Sequence, residues 1–444
     1  MVSLLLPSIA RTRRYRLSSV AGTPALLALL ITAFAGPAHA DPLSLDEALS
    51  LAEQRGSVLQ AKQAATTTVQ GELQEARAPL WNNPQLGGEY RWRQLSQAGA
   101  PSARKQDAAL SIAQTFETGG QQSARRGAAE ANADGLMASI EQTRRDLRAE
   151  VERQFVQVQA LQLRVQMEQE ALELLQRAAS LVRRRVLAGE DSRLDGNLAR
   201  VEAERGSNQL ARAQEDLSQA RSALAVLLQW DRPALPEAVG ELDRMHPGYT
   251  LDGLMATAAG QSRLQALEAQ ERGADYRLKL ERGMRYPEVT VGLNYSPEKG
   301  IDGRDRITTL AISVPLPLFR RNQAGIGRAS TELTQSRIER EAARREIQTA
   351  VPTLWQRLQS LRARVGRLRG DVMPALDENQ TLSLKALREG EIGLTQFLLV
   401  RRQVLDGQRD LLDARTELRL TQSSLEHAAG WPAQLPAAPS EQPR

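Results

Sequence analysis

The chain of 444 residues contains no cysteine and only three histidines. Disulfide staples, thiol nucleophiles and triads built on Cys or His therefore have almost no material. Attachment of a lipid to an N-terminal cysteine is excluded as well, so any hold on a membrane must come from the fold itself. Phosphate loops are missing too: Gly119-Gly120 is not followed by the Lys-Ser or Lys-Thr that such a loop needs. His246 lies in a His-Pro-Gly turn and His427 near a helix end. Neither has a second His or a carboxylate at ligand spacing, so no metal site and no cofactor is expected. A net excess of one charge is also lacking. Of 58 basic residues, Arg11, Arg13, Arg14 and Arg16 fall in the first forty positions, which hold no Asp or Glu, leaving 54 basic against 53 acidic side chains in the remainder. That near neutrality argues against a nucleic-acid partner, and the carboxylates scattered among arginines read as solvated helix faces.

Aromatics make up only 4% of the chain, while Ala, Leu, Gln, Glu and Arg abound. This is the composition of long helices and coiled coils, and it excludes an ordinary compact enzyme core. The four early arginines precede the apolar run 20–34, then Ala38-His39-Ala40 and Asp41. That order predicts a secretory signal peptide over residues 1–40. Beyond it no apolar run is long enough for a membrane helix, which leaves strands as the only means of crossing a bilayer.

Helical signals fill most of the chain. Ser44-Leu45-Asp46-Glu47 has the form of a capping box, which predicts a helix from there to about Trp81. Over 122–187, Val151, Val158, Leu161, Val165, Leu172, Leu175, Ala179, Val182 and Val186 recur at spacings of three and four, a heptad seam on a helix of about 100 Å. Leu136, Ile140 and Leu147 are out of phase with it by a stutter. A turn at Gly189-Glu190-Asp191-Ser192 leads into a return helix through Leu194, Val201, Leu210, Leu217 and Leu224. Thr250-Leu251-Asp252 then opens a second, equivalent pattern: a helix over 252–285, a long helix over 324–388, a turn at Gly390-Glu391-Ile392-Gly393 and a return helix with Phe397, Val404, Leu411, Leu418 and Leu425 every seven residues. Pro352 and Pro374 are expected to interrupt and bend the long helix.

Between the helices of each half lies a stretch with a period of two. Leu86, Gly88, Tyr90 and Trp92 alternate with polar or small residues, a loop spans 96–106, and Leu110, Ile112 and Phe116 alternate in turn. Val289, Val291, Leu293 and Tyr295 do the same before a loop over 297–305, with Leu310, Ile312 and Val314 after it. Both hairpins begin at an X-Pro pair, Asn83-Pro84 and Tyr286-Pro287, the position a strand allows to proline. Four strands, each with one apolar face and near the roughly 9–11 residues that cross a bilayer, have the pattern of a transmembrane barrel but cannot close one alone. Three copies would supply twelve strands. The chain thus divides into 1–40 (signal peptide), 41–240 (first repeat, hairpin 84–116), 241–430 (second repeat, hairpin 287–314) and a disordered tail at 431–444.

Val314-Pro315-Leu316-Pro317-Leu318-Phe319-Arg320-Arg321-Asn322-Gln323, placed after an alternating strand and opening a long helix, closely resembles the outer membrane factor family of TolC-like efflux channels. The Gly-Glu-Ile-Gly-Leu turn, the Ala-Ala-Gly-Trp near the end and the duplicated halves extend the resemblance over about 43–430, closest to the branch serving cobalt–zinc–cadmium efflux. The resemblance implies a mainly helical protein with a small β part. Its long antiparallel coiled-coil helices form a periplasmic α-barrel, and its strands contribute to a homotrimeric twelve-stranded β-barrel in the outer membrane of a Gram-negative bacterium. It implies no enzyme activity. The implied partners are a periplasmic adaptor, an inner-membrane transporter of the resistance–nodulation–division type, and outer-membrane lipid. The adaptor would meet the tips Gly189, Glu190, Asp191, Ser192, Arg193 and Leu194, and Gly390, Glu391, Ile392, Gly393 and Leu394. An acidic gate would rest on Asp191 or Asp195, because Phe397 to Arg402 holds no carboxylate. Tyr90, Trp92, Phe116, Tyr286, Tyr295 and Phe319 would be barrel aromatics. Two other readings stay open from the residues: a channel of a type I secretion or multidrug system, and a periplasmic coiled-coil scaffold or adaptor without a channel.

Overall fold

The computed structural model describes residues 42–95, 103–243, 248–299 and 304–432. The signal segment, His246 and the tail beyond Pro432 lie outside the described residues. The chain opens with β1 (Pro42–Leu43) and α1 (Leu45–Arg55), whose start is a complete capping box: the Glu47 amide donates to the Ser44 hydroxyl, and Glu47 accepts from the Ser44 amide. α2 (Ser57–Arg77) leads to β2 (Gln85–Leu95) and β3 (Ala103–Phe116). α3 (Gln121–Ala188) then runs 68 residues without a break, about 100 Å, away from the strands. α4 (Arg193–Leu227) returns over half that distance to β4 (Glu237–Ala238), which pairs in parallel with β1.

The second half repeats the path. α5 (Leu251–Ala259), capped by Thr250 without a box carboxylate, and α6 (Ser262–Gly283) reach β5 (Val289–Lys299) and β6 (Arg304–Ser313). α7 (Gln323–Arg367) and α8 (Met373–Glu389) run outward, and α9 (Leu394–Ala428) returns. Packing places these elements in three layers of four. The sheet runs β2-β3-β5-β6, all antiparallel. Next to it stands the row α2-α3-α6-α7, and farther out the row α4-α3-α9-α8. Each row is an open arc with two ends. Where the return helices end, apolar clusters seal the halves, one around Val151, Phe155, Leu224 and Leu228 and the other around Leu254, Val351, Leu358 and Leu425.

Four expectations need correction. The strands extend farther than the alternation suggested: β3 starts at Ala103, and β5 carries on through Pro297 to Lys299. Proline is tolerated there because β3 flanks β5 only as far as Tyr295, so Pro297 lies where one side of β5 has no neighbour to bond. The first helix is two, broken at Gly56, where a Cβ would fall 2.9 Å from Leu147 of α3, and its counterpart also breaks, between Ala259 and Ser262. A two-residue pair such as β1–β4 has no period to read, yet it docks the segment between the halves, where the Ala238 amide donates to Gln162 of α3 at 3.1 Å. Pro352 does not interrupt α7. It stands next to fully buried Val351, and packing against α5 and α9 holds the helix against a proline cost of about 3 kcal/mol. The interruption falls instead on a π-turn at Leu368–Val372, which places Pro374 in the first turn of α8, where no amide donor is required.

Candidate functional site

The strand register puts like with like. Leu86, Ile112, Leu293 and Leu310 form one row across all four strands, and all four side chains are exposed. Leu110 and Tyr295 continue that face, and Tyr90 and Trp92 stack edge to face on it, 4.8 Å apart, toward the hairpin tips. Phe116 closes it at the helical end, with Tyr286 exposed just before β5 and Phe319 exposed in the segment after β6, so these last two lie outside the strands proper. The opposite face is small and polar. Gly87, Ser111, Asn294 and Thr309 share a row, the Thr115 and Thr290 hydroxyls meet at 2.9 Å, and Arg93 bridges Asp107 at 2.7 Å and Glu298 at 3.1 Å across three strands. An exposed apolar face this continuous has no place in water. An apolar face on one side and a small, polar one on the other is the pattern of transmembrane barrel strands, and among the described residues no helix is long and apolar enough to cross a membrane.

The two helical turns at the far end share one geometry. Gly189 and Gly390 take positive φ, 81° and 76°. In each turn the next residue's amide reaches back to the helix, Glu190 to the Arg185 carbonyl and Glu391 to the Ala386 carbonyl, both at 2.9 Å. This is the double-bonded glycine cap that lets a helix stop and reverse. Ser192 caps α4 by accepting from the Asp195 amide at 3.1 Å and donating to the Asp195 carboxylate at 2.6 Å, whereas Gly393 starts α9 without a side-chain cap. Asp191 is taken up by Arg185, 3.1 Å away.

Arg185 carries no signal in the sequence beyond being the basic residue of α3's last turn, yet it joins the two tips. Its guanidinium also donates to the Leu387 carbonyl at the end of α8, 3.1 Å away, where the helix dipole favours a cation. Beneath it, Leu174, Ala178, Val182, Ala199, Leu387, Leu394 and Phe397 form one apolar cluster between the hairpins. Farther along, Glu168 of α3 is buried and doubly bonded by Arg409 of α9 at 2.8 and 3.0 Å, with Arg164 at 3.0 Å. Arg401, buried on α9, donates to Gln380 at 3.0 Å, and burial pulls its guanidinium below the usual range. Arg164 and Glu168 stand at the i, i+4 spacing of one helix, but no spacing rule pairs Glu168 with Arg409, 241 positions on.

The histidine at the end of α9 is an ordinary structural partner. His427 Nε2 stands 2.8 Å from Asp146. Burial pushes the Asp146 carboxyl upward, but the hydrogen bonds from His427 and Gln142 outweigh it and hold it below the usual carboxylate range. Among the described residues no group of three or more His, Asp or Glu is arranged to hold a metal ion.

Comparison with known proteins agrees with this geometry. The model of the outer membrane efflux protein family matches residues 48–228 and 256–431, one match to each half. The cobalt-zinc-cadmium resistance protein CzcC of Cupriavidus metallidurans is 30% identical over 379 residues, covering 85% of each chain. Among solved structures, CusC, described for its folding and transmembrane channel formation, superposes with a TM-score of 0.71 at 18% identity over 87% of this chain and 91% of its own. The outer membrane protein VceC of Vibrio cholerae gives 0.72 at 16% identity over 87% and 96%. These two likenesses bear on the fold.

Proposed function

The chain belongs to the outer membrane efflux protein family, and from that premise we propose that three copies close into one duct through the outer membrane and periplasm of a Gram-negative bacterium. β6 of each copy pairs with β2 of the next to complete a twelve-stranded barrel, and the two helical rows close beneath it by the same rotation. The protein is the exit duct of a tripartite efflux pump, working with a periplasmic adaptor and an inner-membrane transporter of the resistance–nodulation–division type. Its cargo is heavy-metal cations, a reading supported by the similarity to the cobalt-zinc-cadmium resistance protein. The observation that carries the duct is the four-stranded sheet with an exposed apolar face, a polar face opposite and a free strand at either end.

The tips 189–194 and 390–394 meet the adaptor and hold the gate. Asp191 serves the gate by orienting Arg185, which ties the first hairpin to the second, and Asp195 serves it by fixing the start of α4. Detergent-extracted full-length protein is expected to have the mass of a trimer and a small single-channel conductance in planar bilayers. Asp191→Asn, which leaves Arg185 with one partner fewer, is expected to raise that conductance severalfold. A water-soluble monomer that never conducts overturns the duct. In a host lacking its own channel for the same adaptor and transporter, the protein restores tolerance to cobalt, zinc or cadmium. Restored tolerance to organic compounds alone overturns the cargo reading.

A further inference from the structure

The two strand-to-helix junctions at the inner end of the sheet differ. In the first half four residues, 117–120, lead from β3 into α3; in the second, nine residues, 314–322, lead from β6 into α7. The longer segment is apolar, exposed and held in shape. Phe319 is 95% exposed, Leu316 73% and Leu318 66%. The Leu318 amide donates to the Leu316 carbonyl at 2.9 Å, and at the far end the Asn322 side chain donates to the Glu281 carbonyl of α6 at 2.9 Å, with Asn322 itself at a φ of 54°. Tyr286 and Met284 stand exposed beside this level at the end of α6. Arg320 and Arg321 follow directly, both exposed, with no ion pair among the described residues.

A rigid loop that keeps three large apolar side chains in the open needs a cover. Val314 and Leu316 follow directly on β6, whose Leu310 and Ile312 are exposed on the apolar face, and are themselves 42% and 73% exposed, so the loop continues the apolar surface by a few residues toward the helices. Two unpaired arginines just past the apolar residues match the level at which lipid phosphates lie.

We infer that the 314–322 segment is an interfacial anchor: Leu316, Leu318 and Phe319 insert among the acyl chains of the inner-leaflet phospholipid, and Arg320 and Arg321 bind its phosphates. The inference rests on the barrel reading above. Because the chain has no cysteine, a single introduced thiol carries a spin label without background. Full-length Phe319→Cys, Leu318→Cys, Leu310→Cys and Thr309→Cys proteins would be labelled, confirmed as trimers and placed in vesicles of phosphatidylethanolamine and phosphatidylglycerol. Collision rates with oxygen and with a water-soluble nickel chelate then report depth. The expected order of the oxygen-to-nickel ratio is Leu310→Cys highest, Leu318→Cys and Phe319→Cys severalfold above Thr309→Cys, and Thr309→Cys at the value for water. Water-like ratios at both 318 and 319 overturn the anchor while leaving the barrel intact. Labels at both sites shielded from both reagents also overturn it, by showing that protein, such as the next copy, covers the loop. A water-like ratio at Leu310→Cys overturns the barrel reading and the anchor together.

Discussion

The two return helices make an instructive pair. α4 and α9 are each 35 residues long and each follows a glycine-capped turn, but only α9 repeats its large apolar residues every seven throughout; on α4 nine positions separate Val201 from Leu210. On α9 the seam is covered throughout: Phe397 is 1% exposed, and Val404, Leu411, Leu418 and Leu425 are buried or half-buried. On α4 the buried stripe runs through Ala199, Gly206, Leu210, Ala213, Leu217, Ala220 and Leu224, and off it, near the tip, Leu194 is 75% and Val201 44% exposed. The slip to nine positions puts Leu194 and Val201 across the helix from Leu210, and position in the row leaves that side without a neighbour among the described residues. α9 stands between α3 and α8, whereas α4 ends the row. At the other end α7 and α8 expose Ile338 and Leu382. The same inequality appears in the sheet, where β2 and β6 are terminal and β3 and β5 are flanked on both sides. A duplicated chain thus satisfies its inner elements itself and leaves its outer ones for the next copy.

That contrast can be broken at two residues. Phe397→Ala removes a fully buried ring from the cluster joining the hairpins and is expected to cost about 3–5 kcal/mol, read as a lower midpoint in urea or thermal unfolding of the helical signal. Val201→Asp touches a side chain that a single copy leaves open, so the fold of the chain stays unchanged. Its expected effect is on assembly, because closing the ring would bury an unpaired carboxylate at every junction. The trimer then gives way to monomer in detergent by mass measurement. If Val201→Asp trimers persist, α4 is not a closing edge. If Phe397→Ala costs no more than an exposed leucine, α9 is not the inner helix described here.

Where a pattern depends on local chain geometry, the sequence announced it. The strand period of two, the capping box at Ser44 and the turn glycines at 189 and 390 all reappear in the structure, because each is settled within a few residues. What stayed hidden depends on distant neighbours. The break at Gly56 is made by Leu147, the continuity through Pro352 by clusters on α5 and α9, and the tie between the tips by Arg185 meeting a carbonyl of α8. Leu194 and Val201 carry the same apolar signal as the buried residues of α4, and only the row shows that no described element of the chain covers them. Asp191 is a gate candidate only through the family resemblance, and that it faces Arg185 is information of the fold alone.

The turns sharpen the comparison, since here the two halves should agree. Ala at either glycine must hold a left-handed backbone, which costs about 1 kcal/mol whatever surrounds it. Space adds little: no atom lies within 4 Å of a Cβ built on Gly189, and the nearest to one on Gly390 is Arg185 Nη2 at 3.6 Å. Gly189→Ala and Gly390→Ala are therefore expected to lower stability by the same amount, in contrast to the unequal helices that follow. A markedly larger loss at Gly390 would show that Arg185 cannot give way there and that the tie between the tips is rigid.

The smallest expected difference lies at the opposite ends of the return helices. In the last turn of α9, His427 meets Asp146 at 2.8 Å; after α4, Asp231 meets Arg55 at 3.2 Å. Both aspartates are held below the usual carboxylate range, Asp146 by its His427 and Gln142 hydrogen bonds against the opposing effect of burial, and Asp231 by Arg55. A carboxylate whose folded value is depressed contributes stability that is fully present above its unfolded value, about 3.9, and is lost as the pH falls through the lower, folded one. Asp146→Asn is therefore expected to be less stable than the unmodified protein at pH 7, and the gap should close on acidification below about pH 4. Asp231→Asn should follow the same sign with a smaller gap, removed by about 0.5 M salt, because both partners of that pair stand open to water. Urea midpoints measured at both pH values and at two salt concentrations separate the cases. A gap at Asp146 that widens on acidification would reverse the sign argued here and would mean that the α9 end is stabilised by the protonated carboxyl.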